Sequence, residues 1–353
     1  MVMESVELLA PPKHTVEEQE ALIDFVLALR KSHIKKFLDQ HELQKSGTKP
    51  DLRERIKAAI EEGQITIEKI VEFLDSVVPW GKQHVIIYKG PHDDLQTWKK
   101  PDHVLDLLRQ HRLGKLFNAT QPLILPEKLT LSSVTHSNGK LRVTAIQKRE
   151  YAERTPERDE ERKTDDGKKV TLMAHVLHLT RTLVAFEWDI NANVAMLQIT
   201  QLQRDGDYEK VAEEFFQLIG GWLNIKQFTQ VDMKRIISKL DELESSGHAE
   251  TRSHKINFRS LQGRGMSVES PSRRDSVRGE AHIDRAMDDA RKHGIGHLGN
   301  FYWLPKIQPG PCPNPLKEDA HVIIVGAKSR INFPKPYSEE VVRYVLHRVR
   351  ALS

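Results

Sequence analysis

The stretch KLTLSSVTHSNGKLRVTAIQKR (residues 128–149) decides the fold class. Two runs rich in β-branched and aliphatic residues flank Asn138-Gly139, a dipeptide that accepts the positive φ angles of a two-residue hairpin turn. The reading is an antiparallel hairpin. Downstream, VTLMAHVLHL (170–179) and TLVAFEWDI (182–190) read as a second β pair, followed by the apolar run NVAMLQI (193–199). Upstream, HVIIY (84–88) reads as a strand, and 102–117 as a helix carrying Val104, Leu105, Leu108 and Leu116. Farther on come amphipathic helices at 207–222 and 229–244, a helix near 280–292, and strands at GNFYWL (299–304) and AHVIIVGAKSRINF (320–333). A helix at 338–351 closes the chain. The body is expected to be α+β with a largely antiparallel sheet and no internal repeat. Two segments read as loops: 150–168, almost wholly charged with nearly balanced signs, and 262–279, rich in Gly, Ser and Arg.

Residues 15–80 follow a helical period instead. Thr15 and Glu18 have capping-box spacing ahead of Leu22, Ile23, Phe25, Val26 and Leu29, giving a helix over 16–30. Ser32 is expected to cap a second helix with Ile34, Phe37 and Leu38 inward and Lys35 and Lys36 outward. An extended piece follows, in which Leu43 packs and Gly47 permits a sharp bend. Thr48 and Asp51 cap a third helix, with Pro50 in its first turn and Leu52, Ile56 and Ile60 as its apolar stripe. Gly63 ends it. Thr66 opens a fourth helix, carrying Ile67, Ile70, Val71 and Leu74, which Pro79 closes. The expected division is a flexible 1–14, a helical head at 15–80 and a body at 81–353, with a sub-boundary near 203–206 or 246–280.

The 353 residues exceed a single domain of usual size, and 38% hydrophobic with 29% charged residues suits real cores under polar surfaces. No apolar run is long enough to span a bilayer, and MVMESVELLAPPKH lacks a basic leader with an apolar stretch, so no membrane partner is expected. Cys312 is the single cysteine and cannot form an internal disulfide, which fits a reducing compartment. The expected location is the cytoplasm, at the nucleoid in a prokaryote, or the nucleus in a eukaryote. A net charge of +4 is modest, but between Arg30 and Lys57 nine cations face only four acids, Asp39, Glu42, Asp51 and Glu54. Lys45, Lys49 and Arg53 surround the Gly47 bend, and the first-turn amides of helix 49–62 favour an anion. DNA phosphates are the expected occupants.

The string IKKFLDQHELQKSGTKPDLRERI (34–56) resembles a SAP domain. It has an apolar helix, a Leu before a polar turn, then Ser-Gly-x-Lys-x-x-Leu-x-x-Arg-Ile, here Ser46, Gly47, Lys49, Leu52, Arg55 and Ile56. The resemblance covers about a tenth of the chain. It implies a helix–extended–helix module that binds duplex DNA through the second helix's start and the preceding turn. The expected DNA-binding set is Lys35, Lys36, Lys45, Ser46, Gly47, Thr48, Lys49 and Arg53, touching backbone rather than base edges. A remoter resemblance, in the order of a helical head and hairpins with an aromatic-rich strand and in Ala185-Phe186, is to the centromere protein N family. It implies recognition of nucleosomes or of a sister subunit.

Enzyme signals are sparse. Gly263-Arg264-Gly265 and Gly294-Ile295-Gly296 lack the strand-then-helix context of a phosphate loop, and no cofactor is expected. His293 and His297, four apart, with Cys312 downstream, have a ligand-like spacing, but Gly294, Gly296 and Gly299 argue against a helix, and no metal is expected. Glu187 and Asp189 in FEWD share a strand face, with Phe186 and Trp188 opposite, and offer the carboxylates of a metal-dependent nuclease, with Lys168 or Lys169 as its lysine. His175 and His178 fall on opposite faces of their strand. Phe301, Tyr302 and Trp303 suit a core better than base stacking. Arg273, Arg274 and Arg278 offer loose phosphate contacts. The expectation is a non-catalytic DNA-binding protein whose body serves protein interaction or dimerisation. The alternatives are a nuclease delivered by the head, and a scaffold or chromatin-associated protein whose head binds protein.

Overall fold

The computed structural model describes residues 15–203, 206–307 and 312–353. The expected flexible segment 1–14, and residues 204 and 205 of the expected sub-boundary, lie outside the described residues. The chain forms two compact units: one reaches Leu74 and includes Pro122–Leu125, and the other comprises Asp75–Gln121 and Pro126–Ser353.

The first unit is built from α1 (Val16–Ala28), α2 (Lys31–Gln40), α3 (Lys49–Glu61) and most of α4 (Ile67–Val77). Thr15 caps α1 and Thr48 caps α3, each in a reciprocal box with the acid three residues on. Ser32 does not cap α2. Arg30 holds that position without a side-chain cap, and its carbonyl accepts from the Ile34 amide at 3.0 Å, so Ser32 lies inside the first turn. The core joins Leu22, Ile23 and Val26 of α1, Phe37 and Leu38 of α2, Ile56 of α3 and Ile70 and Val71 of α4, all fully buried. Phe37 meets Phe73 with ring centroids 4.9 Å apart.

In the second unit β1 (Gln83–Lys89) leads into a short α5 (Leu95–Trp98) and α6 (Pro101–Gln110). The helix expected over 102–117 stops there, because Arg112 turns at φ 59° and the Leu113 amide donates back to the Leu108 carbonyl at 2.7 Å. The turn at Gly114–Leu116 is separate. Then come β2 (Thr130–Ser137), β3 (Lys140–Arg154), β4 (Glu160–Lys163), β5 (Lys169–Leu172), β6 (His175–Asp189) and β7 (Val194–Thr200). The segment 150–168 is therefore not a loop: β3 extends into it and β4 begins the β4–β5 hairpin. Nor do 170–179 and 182–190 pair with each other. Half of the first and nearly all of the second lie in the single strand β6, which pairs with β3 from Lys140↔Asp189 to Arg154↔His175. The turn between β2 and β3 is at Asn138-Gly139, with φ of 50° and 72°.

The remaining elements are α7 (Tyr208–Ile219), β8 (Thr229–Gln230), α8 (Met233–Ser245), β9 (Thr251–Ser260), β10 (Gly265–Glu269), α9 (Ala281–His293), β11 (Gly294–Trp303), β12 (Ala320–Val325), β13 (Arg330–Phe333) and α10 (Glu339–Ala351). The segment 262–279, expected as a mobile loop, holds β10, antiparallel to β9. All strands but β4 and β5 form one sheet, in the order β10-β9-β11-β12-β13-β1-β7-β6-β3-β2, with β8 beside β1. Its pairings are antiparallel, so the body is α+β as its pattern requires. β1 shows how the two cores are divided. Val85 and Ile87 join a cluster with Ile236 and Ile237 of α8 and Val342 and Val345 of α10, whereas Ile86 and Tyr88 join one with Leu108 of α6 and Phe215 of α7. A strand buried on both faces reads as a continuous apolar run, as HVIIY does.

Candidate nucleic-acid interface

The segment between α2 and α3 is extended and outward-facing. Every residue from Gln44 to Asp51 is exposed, and Gly47 sits at φ 127°, a region that disfavours any side chain. Arg55, nearly two turns into α3, holds this segment in place by donating to the Gln44 carbonyl and, at 2.9 Å, to the Ser46 carbonyl. The motif arginine thus fixes the bend and is not offered to a ligand. The Ser46 hydroxyl accepts from the Gln44 side chain at 2.9 Å.

The expected cradle at the start of α3 is already filled. One Asp51 oxygen accepts from the Thr48 amide at 2.7 Å and the Thr48 hydroxyl at 2.8 Å, and the Thr48 hydroxyl accepts from the Asp51 amide at 3.4 Å. Pro50 has no amide to give. The hydrogen bonds from Thr48, backbone first, hold the Asp51 carboxyl below its ordinary range, so a negative charge stands where a phosphate was expected. It lies close against the bend: a methyl added at Gly47 would meet the Asp51 Cβ at 3.0 Å.

The cations of the expected set divide into two groups. Arg53 donates to Glu20 of α1 at 2.9 Å and pairs with Asp24, and Lys57 donates to the other Glu20 oxygen at 3.0 Å. The hydrogen bond from Lys57 is the largest influence holding Glu20 below its ordinary range. Lys45 pairs with Asp39. Arg53 and Lys45 therefore tie helices and turns together, whatever else they touch. Lys35, Lys36 and Lys49 are exposed and, among the described residues, have no acidic partner. Lys31, one turn before Lys35 on the same stripe of α2, is exposed in the same way and stands outside the expected set. The local potential on α2 is felt by His33, whose imidazole is pushed below its ordinary value by burial and then by Arg30 and Lys36.

The carboxylates weighed for a nuclease lie in the second unit. Glu187 is 7% exposed and accepts from Arg142 at 2.9 Å and from Arg343 at 2.6 and 3.0 Å. Burial alone would raise its carboxyl, but the two guanidiniums, Arg343 first, hold it below its ordinary range. Asp189 accepts from the Ala192 amide at 2.9 Å and caps the β6–β7 turn. A cation here would have to displace two guanidiniums. Lys168 pairs with Asp166 in the β4–β5 turn region, and Lys169 pairs across that hairpin with Lys163. His178 stacks on Tyr151 and reaches Glu153 at 2.9 Å. Phe301 and Trp303 are fully buried and Tyr302 stacks on His321 at 4.7 Å, so this trio belongs to the core. Arg278 makes no loose contacts: it donates to Asp241 at 2.6 and 3.0 Å and to Asp288 at 2.9 Å, pinning its segment to α8 and α9. Arg273 and Arg274 are exposed.

No protein-family model and no curated protein matches this chain.

Proposed function

We propose that the helical head binds the phosphates of duplex DNA, without catalysis, through Lys35 and Lys36 of α2 and Lys49 next to the Gly47 bend. The observation that carries this reading is the contrast between two sets of cations within one short module. Arg53, Lys57 and Lys45 are matched to acids, while these three lysines stand in solvent without one among the described residues. A lysine already paired with an acid adds little to the local field, whereas several unmatched ones in one short module raise the local potential and attract a polyanion. The exposed bend, held by Arg55 in the helix–extended–helix form, leaves the Lys49 side chain open to a duplex backbone. Asp51 at the start of α3 moves the contact from helix amides to side-chain ammonium groups. Such contacts read charge spacing, so sequence preference is weak.

The test is binding of the full chain to duplex DNA across a salt series. Changing Lys35, Lys36 and Lys49 together to Ala lowers the slope of log K against log salt by about 0.9 for each phosphate no longer neutralised. Arg53→Gln, which breaks the links to Glu20 and Asp24, leaves that slope unchanged and lowers the melting temperature of the head instead. An unaltered slope in the triple variant overturns the reading.

A further inference from the structure

The hairpin β9–β10 ends in a tip that nothing above employs. Leu261 is 90% exposed, the highest value among the large hydrophobic side chains of the described residues. The tip is firmly built: Ser260 donates from its amide to the Arg264 carbonyl at 2.8 Å, the Gly263 amide returns to the Ser260 carbonyl at 2.9 Å, and Gly263 turns at φ 84°. This is the three-residue hairpin loop with a glycine in the left-handed region, so Leu261 is held outward on a rigid ribbon.

Several cations lie at the same end of the sheet. Arg259 is across from Gly265 on the hairpin and across from Ile295 on β11, and Arg264 follows the tip itself. α9 runs directly into β11 at Gly294, opposite Ser260, and so delivers Lys292 to the same end of the sheet. Lys234 at the start of α8 lies against Gly296, its carbonyl 2.8 Å from where a methyl there would stand. His297, between these groups, is pushed below its ordinary value by burial and then by Arg259 and Lys234. Arg259, Arg264 and Lys292 are exposed, and none of the four cations has an acidic partner among the described residues.

We propose that this tip is a second DNA contact, in which Leu261 wedges between base pairs from the minor groove while Arg259, Arg264 and Lys292 hold the flanking phosphates. The charge is complementary to a nucleic-acid backbone, and an apolar side chain on a rigid point is what partial unstacking of a base step requires. A ribbon that is already ordered loses little freedom on binding. The proposal shares its partner with the head but rests on other residues.

The test uses the full chain and a duplex with 2-aminopurine at its central step, whose fluorescence rises on unstacking. The wild type produces that rise at saturation. Leu261→Ser abolishes the rise, leaves the salt slope as it was, and melts as the wild type does because the side chain packs on nothing. Replacing Arg259, Arg264 and Lys292 together by Gln lowers the salt slope by about 0.9 per phosphate released. The Lys35, Lys36 and Lys49 triple variant keeps the rise at saturation, so failure of the head and failure of the tip are told apart. A wild type without the rise, or a Leu261→Ser variant that keeps it, overturns the wedge. Gln variants with the wild-type slope overturn the phosphate contacts. Binding to phosphatidylserine vesicles but not to the duplex makes the tip a membrane contact and overturns both.

Discussion

His84 of β1 lies tilted against Tyr208 with ring centroids 3.9 Å apart, and its Nδ1 is buried with no hydrogen-bond partner among the described residues. Burial, with Arg330 nearby, pushes its imidazole down to about 3. The unfolded chain takes up this proton near the ordinary 6.5, and the folded chain does not. The contribution to stability is complete above that value and is lost as pH falls from it toward about 3, at roughly 1.4 kcal/mol per pH unit. Denaturant melts between neutral and mildly acidic pH show this slope, and His84→Gln flattens it. A second residue-scale prediction concerns Glu187. Its removal leaves Arg142 and Arg343 without their shared acid, and Glu187→Ala costs about 3 kcal/mol. A denaturation midpoint equal to that of the wild type would contradict the ion-pair role. At this scale the sequence was partly legible. Alternation in FEWD correctly set Glu187 against Phe186 and Trp188, but the partners stand 45 and 156 positions away and no local pattern reveals them. The same holds for Arg53 and Arg278: a charge count registers a cation and cannot say which acid the fold brings to it.

At the scale of elements, the β2–β3 hairpin was legible from its turn, whereas the second expected β pair runs largely in one continuous strand. The Asn138-Gly139 turn could be placed because both φ angles are positive there, and Gly139→Ala adds a methyl that would meet the Asn191 side chain at 2.3 Å. The combined strain and clash cost at least about 1 kcal/mol, read as a lowered denaturation midpoint. A variant as stable as the wild type would contradict that geometry. The outer half of β3, with β4 and β5, could not be read. All eight residues of β4 and β5 are exposed, so no hydrophobic alternation arises and the segment resembles a solvated loop. β10 was hidden for a related reason, with Gly, Ser and Glu at its outward positions and only Met266 and Val268 turned in. The head's helices were legible almost to their ends. Thr15 and Thr48 with their paired acids mark the starts of α1 and α3, while α2 lacks a side-chain cap and its start was misplaced.

For the whole molecule, the α+β class followed from the contrast between helical period before Trp80 and strand period after it. Strand order did not: β1 lies between β7 and β13, which are separated from it by more than a hundred residues of chain. The bend at Gly47 was placed correctly, but the phosphate cradle there was not, since the acid of the Thr48–Asp51 box both caps the helix and occupies the anion position. What persists is a module whose lysines without an acid among the described residues lie on α2 and at the start of α3. The most direct measurement is the salt dependence of duplex binding by the full chain, compared with the variant in which Lys35, Lys36 and Lys49 are Ala. A steep fall in affinity between about 50 and 200 mM salt, made shallower in the variant by the equivalent of nearly three phosphates, is the predicted result. Superimposable salt curves for the two proteins would contradict it.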